Sequence, residues 1–230
     1  MSLRLLKITF VALAVCAAAL TLPAATPPRR DANSLDQVIK RVQEQQKTTN
    51  SLEADFRQEK VLALLAKPDI STGRFVYSKP NNVLWHYDAP RRVEMLITNG
   101  VMTTYYPDLH KAETIEVKRY QDRIFKYLGA SGAIDELGGF FNFTFSNRED
   151  LPYFVLDLDP KSKGIAKRVR HIKIWIDKKS YLTTKFEYTE GDGDVTRYEF
   201  LNIKVNAPVT QSRFTLNLPA DTRVEAMKLR

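Results

Sequence analysis

Between Gly73 and Tyr106 the chain lays down four short runs in which apolar and polar residues alternate, with aromatics concentrated on the apolar side. Phe75 and Tyr77 share one face of the first run, Val83, Trp85 and Tyr87 one face of the second, and Val93, Met95 and Ile97 one face of the third. A period of two is the signature of strands with one buried face. Lys79-Pro80-Asn81-Asn82, Ala89-Pro90-Arg91-Arg92 and Asn99-Gly100 punctuate the runs, and Asn-Gly is a strong two-residue hairpin signal. The pattern predicts an antiparallel meander whose aromatic face either packs as core or lines a hydrophobic cavity.

Upstream, Ser34 followed by Gln37 fits a capping box, and Leu35, Val38, Ile39 and Val42 fall on one helical stripe, predicting a helix to about Lys47 that packs on the sheet. Leu52 to Leu65 is ambiguous in period and reads as one strand or two. Ala112 to Arg119 alternates in Ile115 and Val117 as a further strand. From Tyr120 the spacing turns helical in short pieces, Phe125 with Leu128 and Ile134 with Leu137, bounded by Gly129, Gly132, Gly138 and Gly139 and running into Phe140 and Phe141. Such an insertion serves equally as a mobile cover, a lid over about residues 120–143, or as a crossover packed into the core.

Strand patterns return at Tyr153 to Leu158, Val169 to Asp177, Tyr181 to Thr189 and Val195 to Val205, with a last one at Phe214 to Leu218. Ile172, Ile174 and Ile176 share a face and either floor the cavity or meet the first helix. The total is roughly ten strands. The expected fold is mainly β with some α: an incomplete, strongly curved antiparallel β-barrel with an N-terminal helix and a lid of short helices over a hydrophobic cavity.

Composition narrows the setting. Arg4 and Lys7 precede an uncharged apolar stretch from Ile8 to Leu22, and Pro23, Ala24 and Ala25 lead into a polar segment, the layout of a secretory signal peptide spanning residues 1–25. Its apolar run of about 15 residues falls short of the roughly 20 that a bilayer-spanning helix needs. Residues 26–33 read as a flexible leader and 34–230 as a single domain. The one cysteine, Cys16, lies in the signal, so the exported chain offers no disulfide, thiol nucleophile or thiolate metal site. Lys and Arg number 35 against 27 Asp and Glu, a net charge of +8, which favours encounter with anionic headgroups or acidic partners.

Catalytic constellations are missing. His86, His110 and His171 lack ligand spacing, so no metal is expected, and Ser131 sits among glycines without the Gly-x-Ser-x-Gly elbow of a hydrolase. Asp157 and Asp159 could project from one strand face as paired carboxylates, but catalytic pairs usually come from different elements, and a solvated strand end is the simpler reading. Lys167, Arg168 and Arg170 carry no interleaved aromatics, which argues against nucleic acid and for an edge-strand or partner-facing patch. No phosphate-cradling glycine loop is present, and neither enzymatic activity nor a cofactor is expected.

Phe56-Arg57-Gln58, Gly73-Arg74-Phe75, Lys79-Pro80, Trp85-His86-Tyr87, Pro90, Asn99-Gly100 and Tyr105-Tyr106-Pro107, followed late in the chain by Asn206-Ala207-Pro208-Val209, Phe214-Thr215-Leu216 and Leu218-Pro219-Ala220-Asp221-Thr222, occur in an order that resembles the periplasmic outer-membrane lipoprotein carrier family, LolA. The resemblance implies a half-barrel whose cavity takes the acyl chains of lipoproteins. It also implies a monomer loaded by an inner-membrane lipoprotein-releasing transporter and relieved by an outer-membrane receptor. The cavity residues it points to are Phe75, Tyr77, Trp85, Tyr87, Met95, Ile97, Ile172, Ile174 and Ile176, and the lid residues Phe125, Leu128, Ile134, Leu137, Phe140 and Phe141. In the family an arginine before the first meander proline holds the lid backbone. Lys79 stands there in this chain, either as a substitute latch without the planar guanidinium fork or as a solvated turn lysine. The same half-barrel also suits a periplasmic lipid-binding sensor that reports to a protein partner.

Overall fold

The structure, a computed structural model, describes residues 34–62, 67–117 and 137–228. The expected signal peptide and leader, and the lid residues Phe125, Leu128 and Ile134, lie outside the described residues. The helix α1 spans Leu35–Thr48, and Ser34 caps it as predicted, its hydroxyl accepting from the Gln37 N–H at 3.4 Å. Val38 and Val42 are buried on the stripe that faces the sheet, each contributing about 2 kcal/mol of hydrophobic stabilisation.

Six strands follow: β1 (Ser51–Val61), β2 (Asp69–Ser78), β3 (Asn82–Ala89), β4 (Val93–Thr98), β5 (Val101–Tyr106) and β6 (Lys111–Glu116). The described part of the ambiguous stretch after Leu52 thus holds a single strand, which ends at Val61. After β6 the described chain resumes at Leu137 and builds β7 (Phe141–Ser146), β8 (Tyr153–Pro160), a one-turn helix α2 (Lys163–Ala166), β9 (Val169–Asp177), β10 (Thr183–Glu190) and β11 (Val195–Val205), and ends on β12 (Arg223–Met227). All twelve join one open sheet in the order β12-β6-β5-β4-β3-β2-β1-β11-β10-β9-β8-β7. Neighbours are antiparallel except β12, which runs parallel to β6.

The sheet is two meanders, β1 to β6 and β7 to β11, joined where β1 pairs with β11. Asn99 and Gly100 turn β4 into β5 with φ of 50° and 79°, the doubly positive geometry that made Asn-Gly a hairpin signal. Among the described residues the strands number twelve, where roughly ten were expected. Two expectations are corrected. Phe214 to Leu218 is not a strand: Gln211–Phe214 forms a 3₁₀ turn, and Phe214 plugs against Val76 and Leu96 on the outer face of the sheet, flanked by Val209 and Leu216. The region expected as lid to about residue 143 gives way to strand at Phe141, which opens β7.

Candidate functional site

Because side chains alternate across a strand, register decides what shares a face. Phe75 on β2 lies opposite Trp85 on β3, and Trp85 opposite Met95 on β4. Tyr77 follows the same line to Val83 and Ile97, while Tyr87 lies opposite Gly73. Across the sheet, Ile172 and Ile174 on β9 face Tyr188 and Phe186 on β10. All nine residues expected to line a cavity therefore fall in one apolar cluster with the stripe of α1. Seven are buried, whereas Tyr87 and Ile174 are half-buried. Leu137 and Phe141 are buried in this cluster too, while Phe140 is 36% exposed.

At the centre of this inner face six rings meet. Phe56, on β1, makes edge contacts at 4.9 Å with both Trp85 and Tyr87, and Trp85 also touches Phe75 at 4.7 Å and Tyr198 at 5.4 Å. Tyr198 stacks with Phe200 at 6.4 Å. Space for Phe56 comes from Gly73: a Cβ there would sit 2.8 Å from the Phe56 ring and 2.0 Å from the His86 carbonyl oxygen. Glycine in a strand interior marks such a close approach.

The rings carry polar atoms inward. Gln58 Nε2 donates to the Tyr198 hydroxyl at 2.9 Å, and the Tyr198 and Tyr87 hydroxyls share a bond of 3.4 Å. Burial pushes the Tyr87 phenol up to about 12 although its bond to Tyr198 pulls the other way, and burial followed by the neighbouring Tyr87, Tyr188 and Glu190 pushes Tyr198 up as well. Both therefore remain neutral hydroxyls at physiological pH. Burial likewise raises the Glu190 carboxyl above the ordinary carboxylate range.

Lys79 has partners. Its ammonium donates to the carbonyls of Lys47 at 2.9 Å and Gln46 at 3.4 Å, closing the C-terminus of α1. Contact with residues 118–136, which a latch requires, falls outside the described residues. Asn206 secures the same junction: its Oδ1 accepts from the Asn50 N–H at 2.6 Å and its Nδ2 donates to the Thr48 carbonyl at 3.0 Å. In the sequence Asn206 stands out only as part of a motif. Its positive φ of 57° is the conformation that asparagine tolerates best, and the residue type was the one available signal.

The histidines are spread over the sheet and paired with carboxylates: His86 with Asp88 and Glu94, His110 with Asp221, and His171 with Asp157 and Asp159. Asp157 also forms an ion pair with Lys173 at 3.1 Å, so both carboxylates are held by neighbouring side chains. Glu59, Glu187 and Arg197 form a further network beside Trp175, where a recess of about 250 Å³ opens between matched charges.

An open sheet of twelve described strands, antiparallel but for β12, with an N-terminal helix laid on an aromatic-rich face, places the molecule among the half-barrel proteins. The family described as outer membrane lipoprotein carrier protein LolA matches residues 47–217, and the chain belongs to that family. It is 26% identical over 152 residues to an outer-membrane lipoprotein carrier protein of Pseudomonas paraeruginosa, covering 65% of this chain and 68% of that one. Another such protein, from Pseudomonas fluorescens, is 23% identical over 190 residues, covering 82% and 88%. Among solved structures, an uncharacterized conserved protein from Thermus thermophilus shares the fold with a TM-score of 0.54 at 11% identity, covering 84% of this chain and 98% of that one.

Proposed function

We propose that this protein is a periplasmic carrier that holds the acyl chains of lipoproteins against the inner face of its sheet and ferries them from the inner to the outer membrane. In this reading residues 1–25 are the export signal. The protein acts as a monomer without cofactor or catalysis, taking cargo from an inner-membrane releasing transporter and yielding it to an outer-membrane receptor. The observation that carries the reading is the single apolar cluster running across both meanders with Trp85 at its aromatic centre, in a chain of this family.

Energetics fit a carrier. Each methylene removed from water contributes about 0.8 kcal/mol, so two or three fully enclosed chains would be held too tightly for handover. On this sheet, cargo must part side chains that already bury one another, and the stripe of α1 with them. Net affinity is the difference between two burials, which keeps it moderate.

The test uses delipidated protein and a triacylated peptide. Trp85 and Trp175 are the two tryptophans, so a Trp175→Phe variant isolates the emission of Trp85. Saturable binding at one site should shift that emission, and ligand at a hundred times Kd should raise stability by about 2.7 kcal/mol. Absence of binding by any long-chain amphiphile, with unchanged Trp85 emission, overturns the reading.

A further inference from the structure

Trp85 is only 8% exposed, and its indole Nε1 is buried with no hydrogen-bond partner among the described residues. A buried donor without an acceptor is costly, so a native protein that keeps one calls for an explanation. The neighbouring phenols repeat the situation by counting. The Tyr198 oxygen already accepts from Gln58, and the single bond between Tyr198 and Tyr87 uses one of their two hydroxyl protons. Whichever hydroxyl donates in that bond, the other proton has no acceptor among the described residues. The centroid of the Trp85 ring lies 5.4 Å from that of Tyr198 and 6.5 Å from that of Tyr87, so the spare donors belong to adjoining rings of one aromatic centre.

We propose that Trp85, Tyr87 and Tyr198 form a carbonyl-recognition site, in which the indole N–H and the surplus phenol O–H donate to the ester or amide oxygen that joins a hydrocarbon chain to its headgroup. The proposal rests on the acyl-binding reading and deepens it. Two neutral donors in a ring-lined setting match a neutral acceptor. The same burial among rings makes a charged acceptor, such as the carboxylate of a free fatty acid or a phosphate, costly to seat here. The site therefore selects acylated molecules over bare alkyl ones and fixes how deep the chain can slide.

Two probes of equal chain length separate the possibilities: 1-monopalmitoylglycerol, which carries an ester carbonyl, and 1-O-hexadecylglycerol, an ether that lacks it. The wild-type protein should bind the ester roughly five- to tenfold more tightly, the range expected of one or two buried hydrogen bonds. The carbonyl stretch of ¹³C-labelled ester should move to lower frequency on binding. Either tyrosine alone leaves one hydroxyl proton free, so Tyr87→Phe and Tyr198→Phe must be combined. That pair should reduce the preference, and adding Trp85→Phe should abolish it. Equal affinity of the wild type for ester and ether, or an unshifted carbonyl band, overturns the carbonyl site while leaving acyl binding intact. If neither probe binds, the carrier reading falls and this proposal with it. The infrared measurement uses wild-type protein, so its outcome does not depend on the variants folding.

Discussion

At the scale of single residues, Glu190 and Trp85 carry costs that a plain core would avoid. Glu190 is half-buried, one of its carboxylate oxygens has no hydrogen-bond partner among the described residues, and burial raises its pKa. The folded-state value thus lies above the unfolded one, the native state holds the extra proton between the two, and stability falls as pH rises through that window. Glu190→Gln, which mimics the protonated form, should therefore raise the melting temperature at pH 7.5. The gain should shrink as pH falls and vanish below the ordinary value of 4.5. Melting curves across that range check the sign, and the effect should be modest because water screens the exposed part of the group. Which residues share a face was legible in the sequence, since period two assigns Phe75, Trp85 and Met95 to one side once the hairpins are set. Partners were not legible. Nothing near Lys79 names the carbonyls of Gln46 and Lys47, because those acceptors are backbone atoms of another element.

At the scale of elements, α1 and the first meander depend on a few fixtures. Lys79 places its charge on the C-terminal carbonyls of α1, where a cation typically contributes about 0.3–1 kcal/mol. Lys79→Met keeps the alkyl stem and should lose about that much, read from urea midpoints, whereas Lys79→Arg should lose less. Gly73 is less forgiving, since any Cβ meets backbone at 2.0 Å and the Phe56 ring at 2.8 Å. Gly73→Ala should destabilise the protein by about 2–4 kcal/mol and loosen the contact between β2 and β3, detectable in the same titration and in hydrogen exchange of the His86 region. Two strands escaped the sequence pattern for different reasons. Phe141, Phe143 and Phe145 do alternate, but the helical spacing just before them carried the lid boundary too far. The strand β12 does alternate, but its apolar Val224 and Ala226 are exposed while Glu225 and Met227 form the half-buried side, so the pattern does not point to a buried face. Phe214 and Leu216 mimicked a strand because a plug on the outer face needs the same every-other-residue spacing.

At the scale of the whole molecule, the half-barrel class was legible because turn chemistry and alternation agree along most of the chain. Strand order was not, since local pattern does not encode that β1 lies beside β11. That one seam has a consequence in time. Bonds across it, such as Gln58 to Tyr198, join residues 140 positions apart, whereas each meander closes through short connections. The halves can form early and independently, but the seam between them can zip only after nearly the whole polypeptide is available. Long-range pairing of this kind belongs to folding on the millisecond-to-second scale. Until the seam closes, the raw margins of two half-sheets stay open to rescue or to mispairing.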